Sequence, residues 1–368
     1  MQIQLEVGLP NSINRKASVV LAPEEIRSVS LSVAFGEQRN RTGLYMRRHP
    51  KPQDAHAGAA VDPNHPLHSA AEPAKLTIAQ HLELLGVDGP ADAPPVQGNE
   101  HYGTRPAMIA VPVSDLVANL MRPCYSLQGF GAHRTFFLED EPIDRKTYWA
   151  ACFFSNDSHR AALEFRDVRF DPRKDRVLSL DGADLAAEGL QWAVSLVPLV
   201  KDARPVPPVE MAQNDYDLRQ ILGRTADKEI SAAYEKWYDG WDAAVERLVQ
   251  DHLASGRPFE VFYHSVLAIE RSGAIRIYQR DASLPGLAEA LVGDGIVAAG
   301  LLDSGGSCAL YDPWLEGYLN HGLYYRVARG AILLFELKAR ERIPEPRPGS
   351  WFQPRRREEA ETGTQVSG

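Results

Sequence analysis

The run Gly300-Leu301-Leu302-Asp303-Ser304-Gly305-Gly306-Ser307-Cys308-Ala309-Leu310 concentrates the residue types that do chemistry. An apolar stretch delivers an acidic side chain at its end, and two glycines and a serine follow shortly after it. Glycines let the backbone turn tightly and bring its N–H groups close to a ligand, and such donors suit an anionic oxygen. Asp303 adds a carboxylate that can serve as base, acid or acceptor for a hydroxyl. A plain β-turn after a strand uses the same residues, so this run alone supports both readings. Gly305-Gly306-Ser307-Cys308-Ala309 also comes near Gly-x-Ser-x-Gly, the nucleophile elbow of α/β-hydrolases. That elbow needs a helix straight after the serine and a histidine well downstream. Pro313 follows within six residues, and His321 is the one later histidine, so the elbow is rejected. Cys308 lacks a convincing base and reads as a small buried residue rather than a thiol nucleophile.

Strands and helices on either side must position that run. Residues 259–270 read as a strand, Ser272-Gly273 as a turn, and 274–279 as the returning strand of a hairpin. Ser283 is an N-cap for a helix with Pro285 in its first turn, Leu287, Leu291 and Val292 on its buried face, and Gly293 or Gly295 at its end. Residues 296–302 form a buried strand, and 331–338 another. Upstream, 108–113, 147–154, 161–165 and 191–200 also read as strands. Between them and the hairpin, Ile230, Tyr234, Trp237, Trp241, Val245 and Leu248 fall at steps of 4, 3, 4, 4 and 3, a helical stripe. Gly240 kinks that helix or splits it, and its tryptophans either pack in a core or stack on a sugar.

Toward the N-terminus, 2–7 and 28–33 alternate apolar with polar residues, and 18–21 is a third strand closed by Pro23. These strands make either a small sheet of their own or an edge of the main body. From His49 to Gln97 the chain turns to Pro, Ala, Asp and His with few large apolar residues, too little to offset its ordering entropy. One amphipathic element, 76–85, interrupts it. His49, His56, His65 and His68 are irregularly spaced with no acidic cluster, which suits a linker rather than a metal site. The expected organisation is a β segment over 1–48, a flexible linker over 49–97, a body over 98–344 with a helical insert at about 209–257, and a disordered tail over 345–368. The expected fold class is α+β, a mixed β-sheet core with packed helices.

Charge and composition bound the function classes. Of 368 residues, 40 are Lys or Arg and 49 are Asp or Glu, a net charge of −9. Such a chain lacks the long-range field that draws nucleic acid, so no nucleic-acid partner is expected. No stretch offers about 18 uninterrupted apolar residues, so no membrane span is expected. Cys124, Cys152 and Cys308 lie far apart with no Cys-x-x-Cys, which argues against a disulfide framework or a thiolate zinc site. The opening MQIQLEVGLPNSINRK has no basic segment followed by an apolar run, so the expected location is cytoplasmic.

Several segments match a known pattern in order. Leu284-Pro285-Gly286-Leu287 stands where a helix would open with Leu-Pro-Glu-Leu, and Leu302 to Ala309 where a strand would end in Leu-Asp-Gly-Gly-Gly-Ser-Ser-Thr. Gln191 to Ser195 with Pro198 to Val206, Ala151-Cys152-Phe153-Phe154 with Asn156 and Ser158, and Asn320 with Tyr325-Arg326-Val327 add three further pieces. In this order they resemble the phosphodiester glycosidase family, over about 148–337, broken by an insert at 215–255. The resemblance implies hydrolysis of a sugar-1-phosphodiester bond, with a sugar phosphodiester or glycan as partner. It implies that Arg326 holds a phosphate oxygen pair, aided by the N–H groups of Gly305 and Gly306, while Asp303 acts near the anomeric carbon or its leaving oxygen. It further implies that His264 could assist as a group titrating near neutrality, and that Ser307, Asn320 and Ser265 would bind substrate.

Departures from the family pattern set the alternative. His264 and Ser265 occupy the family's Arg-Thr positions, Ala150 stands for an Asn, and Ser304, Cys308 and Ala309 replace Gly, Ser and Thr. His264 could equally be a hydrogen-bonded strand histidine, and Arg326 a structural partner of Asp303 or Asp312. Asp157, Glu270 and Asp312 are all candidates for a second carboxylate. No cofactor is implied with certainty; Asp303 is of a type that ligates a divalent cation, but no ligand set is visible, and no metal residue is assigned. The alternative function is a catalytically degenerate domain that binds a glycan or nucleotide sugar, or serves as an interaction module.

Overall fold

Period-2 stretches rich in Val, Ile and aromatic residues become strands, and helices cover part of their apolar surface. The computed structural model describes residues 2–6, 16–33, 45–46, 75–76, 78–84, 108–113, 124–130, 133–138, 147–156, 159–171, 174–214, 218–234, 240–305, 308–312, 317–321, 328–329 and 331–337. The first third supplies β1 Gln2–Glu6, β2 Lys16–Leu21, β3 Ile26–Val33, β4 Tyr45–Met46, β5 Lys75–Leu76, α1 Ile78–Leu84 and β6 Met108–Val113. The middle supplies β7 Cys124–Phe130, β8 His133–Leu138, β9 Tyr148–Asn156, β10 His159–Asp171, β11 Arg176–Leu178, β12 Leu190–Ser195, β13 Val197–Lys201 and β14 Arg204–Pro205. Helices α2 Pro208–Asn214, α3 Arg219–Leu222, α4 Asp227–Tyr234 and α5 Trp241–Ala254 follow. The last part holds β15 Phe262–Glu270, β16 Ile275–Ala282, α6 Leu284–Gly293, β17 Ile296–Ser304, β18 Ala309–Asp312, β19 Gly317–His321, β20 Ala328–Arg329 and β21 Ala331–Leu337.

These strands form an α+β fold. Two seven-stranded sheets run β1-β2-β16-β15-β17-β13-β14 and β11-β10-β9-β12-β7-β8-β4, a five-stranded sheet runs β19-β18-β6-β21-β3, and β20 pairs with β5. Among the described strands, β4 with β8 is the parallel pairing; the rest are antiparallel. The N-terminal strands lie at sheet edges: β1 and β2 end one seven-stranded sheet, with β2 beside β16, and β3 ends the five-stranded sheet beside β21. Of the two arrangements open in the sequence, the edge is the one that forms. Helix α1 lies within the expected amphipathic element, while the tail lies outside the described residues.

The expected single strand at 191–200 is two strands in two sheets. Strand β12 belongs to the second sheet and β13 to the first, and Leu196 is the crossing point, its N–H bonded to the Trp149 carbonyl at 2.8 Å. An unbroken apolar run carries no mark of such a switch, because both halves are buried. Buried tryptophans tie the sheets further: Trp149 Nε1 donates to the Ala299 carbonyl and Trp192 Nε1 to the Val29 carbonyl, at 3.2 and 2.7 Å. Gly300 allows the close approach at the crossing. A Cβ there would stand 2.7 Å from Leu196 Cβ and 3.2 Å from a Phe165 ring carbon.

The helical stripe splits at Gly240, whose φ of 100° caps α5. Trp241 is buried in the core with its Nε1 on the Gln213 carbonyl, so it packs rather than faces a sugar; Trp237 lies outside the described residues. The cap at Ser283 is as expected: its hydroxyl accepts from Gly286 N, with Leu284, Leu287, Ala288 and Leu291 buried. Asp202 and Ala203, at φ 49° and 57°, make the two-residue turn between β13 and β14. Both central residues at positive φ is the type I′ geometry, which glycine adopts most cheaply at the second position.

Two substitutions test this packing by denaturant unfolding. Gly300→Ala lowers stability by about 1–3 kcal/mol, since its methyl overpacks against a Cβ on a fixed backbone. Ala203→Gly raises stability by about 1 kcal/mol, by removing the left-handed cost of a Cβ.

Candidate functional site

The hairpin β15–β16 and strand β17 bring the site together. Register pairs Ser265 with Asp303 and His264 with Ser304 across β15 and β17, and Ser265 with Gln279 and Tyr263 with Asp281 across β15 and β16. Strand side chains alternate faces, so Tyr263, Ser265, Gln279, Asp281 and Asp303 project to one side and His264, Arg280 and Ser304 to the other. The expected strand 296–302 runs to Ser304, so Asp303 is a ladder residue rather than the first residue beyond the strand.

On the first face the polar groups are deeply buried: Asp303 is 4% exposed and Ser265 and Gln279 are fully enclosed. Tyr263 Oη donates to Gln279 Oε1 at 3.4 Å, and Gln279 Nε2 donates to Ser265 Oγ at 3.2 Å. Ser265 thereby accepts from Gln279, and the register sets it directly opposite Asp303 on the neighbouring strand. Asp303 Oδ1 takes the Ser304 N–H at 2.8 Å. Gly305 follows at φ 82°, a left-handed conformation that turns the chain out of the ladder at once. Cys308 is buried, its thiol 3.5 Å from the Tyr263 carbonyl, and burial followed by the Asp303 charge holds its pKa well above the ordinary value. It is a packed thiol, not a nucleophile.

On the second face His264 is fully enclosed, with Nδ1 2.7 Å from Ser304 Oγ. Its Nε2 makes no hydrogen bond of good geometry. Burial pushes the imidazole pKa down to about 3, only partly opposed by the Ala282 backbone. His264 therefore shares a strand with Ser265 but stands with its back to Asp303.

Of the expected site residues, Asp303, Ser265 and Gly305 lie together at the end of this ladder, and His264 lies at the same end on the opposite face. Asn320 is in β19, its backbone paired with Leu310. Gly306, Ser307 and Arg326 lie outside the described residues, as does Asp157. Glu270 is at the far end of β15, five residues from Ser265 and so about 17 Å along the strand, with its carboxylate 2.6 Å from Arg276. It takes no part in the site. Ala150 is buried in β9 between Ser195 and Arg166. Among the described residues no three His, Cys, Asp or Glu side chains converge on a metal position, and no helix is long and apolar enough to cross a membrane.

Gln279 and Tyr263 are additions that the sequence reading did not single out. The signal was present in the strand pattern: Ile275, Ile277 and Gln279 share one face, and an amide on an otherwise apolar buried face needs partners.

No protein-family model matches this chain, and no curated protein matches it. Among solved structures it is similar to the catalytic domain of zebrafish N-acetylglucosamine-1-phosphodiester alpha-N-acetylglucosaminidase, auto-inhibited by its pro-peptide. That match has 12% identity over 92% of this chain and 88% of that one, with a TM-score of 0.39. A hypothetical protein from Synechocystis shows 10% identity over 87% of this chain and 59% of that one, with a TM-score of 0.36. The structural similarity to a phosphodiester glycosidase domain is weak. Scores of this size carry no residue-level correspondence, so the chemistry of the site rests on its own geometry.

The buried imidazole makes stability depend on pH. The unfolded chain protonates His264 near its ordinary pKa of 6.5 while the folded chain keeps it neutral down to about 3. Stability from this group is thus intact above pH 6.5 and falls as pH drops below it, by up to about 1.4 kcal/mol per pH unit. His264→Asn removes that dependence. Urea unfolding at pH 7.5 and 5.0 should show the wild type losing about 2 kcal/mol more than the variant across that interval.

Proposed function

We propose that the protein is a hydrolase that cleaves a sugar-1-phosphodiester bond, with Asp303 as its working carboxylate. The observation that carries this reading is the placement of Asp303: almost enclosed at the end of a central strand, anchored through Oδ1 to the Ser304 N–H, and beside the Ser265–Gln279–Tyr263 set. A carboxylate is expensive to bury on a sheet made mainly of apolar residues, and packing gains nothing from it. Held in a polar set next to a glycine turn, it has the fixed position that acid–base work at an anomeric centre requires. Asp303 acts on the leaving oxygen as acid or on the incoming water as base. In a protein of net charge −9 the phosphate must be met by local donors, and the sequence offers Gly305, Gly306 and Arg326 for that purpose.

A second reading, a glycan- or nucleotide-sugar-binding domain without turnover, is favoured by two particular observations. His264 is neutral and faces away from Asp303, and Ala150 presents a buried methyl where the family motif has an amide.

Incubation with UDP-N-acetylglucosamine and a panel of other glycosyl phosphodiesters, followed by assay of the released sugar, separates the two. Turnover is expected, and Asp303→Asn should lower kcat by about 100-fold or more at little change in KM. Turnover that survives Asp303→Asn removes Asp303 from the mechanism. Saturable binding by calorimetry with no sugar released establishes the second reading instead.

A further inference from the structure

The His264–Ser304 pair is the strongest feature that the acid–base reading of Asp303 does not use. Its imidazole is fully enclosed, and Arg280 and Ser304 are its cross-strand partners on that face, with the Phe262 ring 6.4 Å away between centroids. Asp303, Asp281 and Cys308 belong to the other face. A hydrogen bond of 2.7 Å joins Nδ1 to Ser304 Oγ. The backbone N–H of that same Ser304 holds Asp303 Oδ1 at 2.8 Å. Two short bonds therefore run in series from one face of the sheet to the carboxylate on the other, through a single residue.

We infer that His264 is a positioning residue for Asp303, acting through Ser304, and not an acid or base of the reaction. By gripping the Ser304 hydroxyl from behind, the imidazole fixes the peptide whose N–H orients the carboxylate and from which the glycine turn departs. A neutral ring suits this task, since it offers one lone pair in a fixed direction and adds no charge behind the site. The depressed pKa agrees, because the folded protein keeps the ring uncharged across the physiological range. The kinetic consequence rests on the proposed role of Asp303; the structural linkage does not.

The test follows that division, using the full chain. In the first arm, NMR of 15N-histidine-labelled protein follows the His264 ring, and carboxyl 13C NMR follows Asp303. The expected ring is neutral and does not titrate between pH 5 and 8; titration in that interval overturns the inference. A backbone N–H on a carboxylate favours its charged form. Loosening Ser304 should therefore raise the Asp303 midpoint in His264→Leu and in Ser304→Ala. His264→Asn, whose amide oxygen takes the place of Nδ1, should keep the wild-type midpoint. Ser304→Ala leaves the histidine in place and reads the linkage even where His264→Leu does not fold. An unchanged midpoint in Ser304→Ala, or equal shifts in the Asn and Leu variants, overturns the inference.

The second arm is turnover of any phosphodiester found to be a substrate. His264→Leu and Ser304→Ala should lose about tenfold in kcat with KM little changed, while His264→Asn stays within about threefold of wild type. A reacting imidazole would be lost equally in the Asn and Leu variants, and that outcome overturns the inference. If no substrate is turned over while the NMR arm behaves as expected, the hydrolase reading falls and the positioning role stands.

Discussion

The register of β15 against β17 is the constraint on which the rest of the site depends. Pairing Ser265 with Asp303 sets His264 against Ser304, and the strand's period of two sends these pairs to opposite faces. A slip of one residue would bury His264 beside the carboxylate and turn Ser265 away from it. The ladder resists that slip because apolar residues farther along must stay in the core. Val266, Leu267 and Leu301 are all enclosed, and the irregularity between Ser265 and Val266 absorbs one extra residue, so the polar end keeps its own alignment.

That ladder is in turn held from outside. Strand β17 has β15 on one edge and β13 on the other, and the chain reaches β13 from the second sheet through Leu196. The crossing is tight enough that Gly300 can carry no side chain, and Trp149 closes it with a hydrogen bond to Ala299. The carboxylate strand is therefore fixed where two sheets meet, with α6 packed against it. A buried charge needs such rigid surroundings, since each fluctuation that opens a donor leaves part of its desolvation uncompensated.

Much of this was legible in the sequence. The strands expected at 2–7, 28–33, 108–113 and 331–338 form as Gln2–Glu6, Ile26–Val33, Met108–Val113 and Ala331–Leu337. They, the Ser283 cap and the turn at Ser272-Gly273 follow from patterning and local chemistry, which act over a few residues. Asp303 stood out because it closes an apolar run next to glycines. What escaped notice depends on contacts distant in sequence. The break of 191–200 into strands of two sheets, the burial of Gln279 against Ser265, and the direction of His264 each follow from which strand lies alongside. Two residues adjacent in sequence, His264 and Ser265, look equivalent as site candidates until pairing assigns them to different faces.

The sequence by itself therefore determined the kind of fold, the places of most of its strands and helices, and the one acidic residue at a strand end worth testing. These rest on periodicity, propensity and composition, which each segment carries alone. Only the tertiary structure decided that the N-terminal strands join the main sheets, that Gln279 and Tyr263 belong with Ser265 and Asp303, and that His264 lies behind Ser304, buried and neutral. The physical reason is that burial and hydrogen-bond partnership are properties of pairs of strands brought together. A histidine becomes neutral because of what encloses it, and no local stretch of chain encodes that.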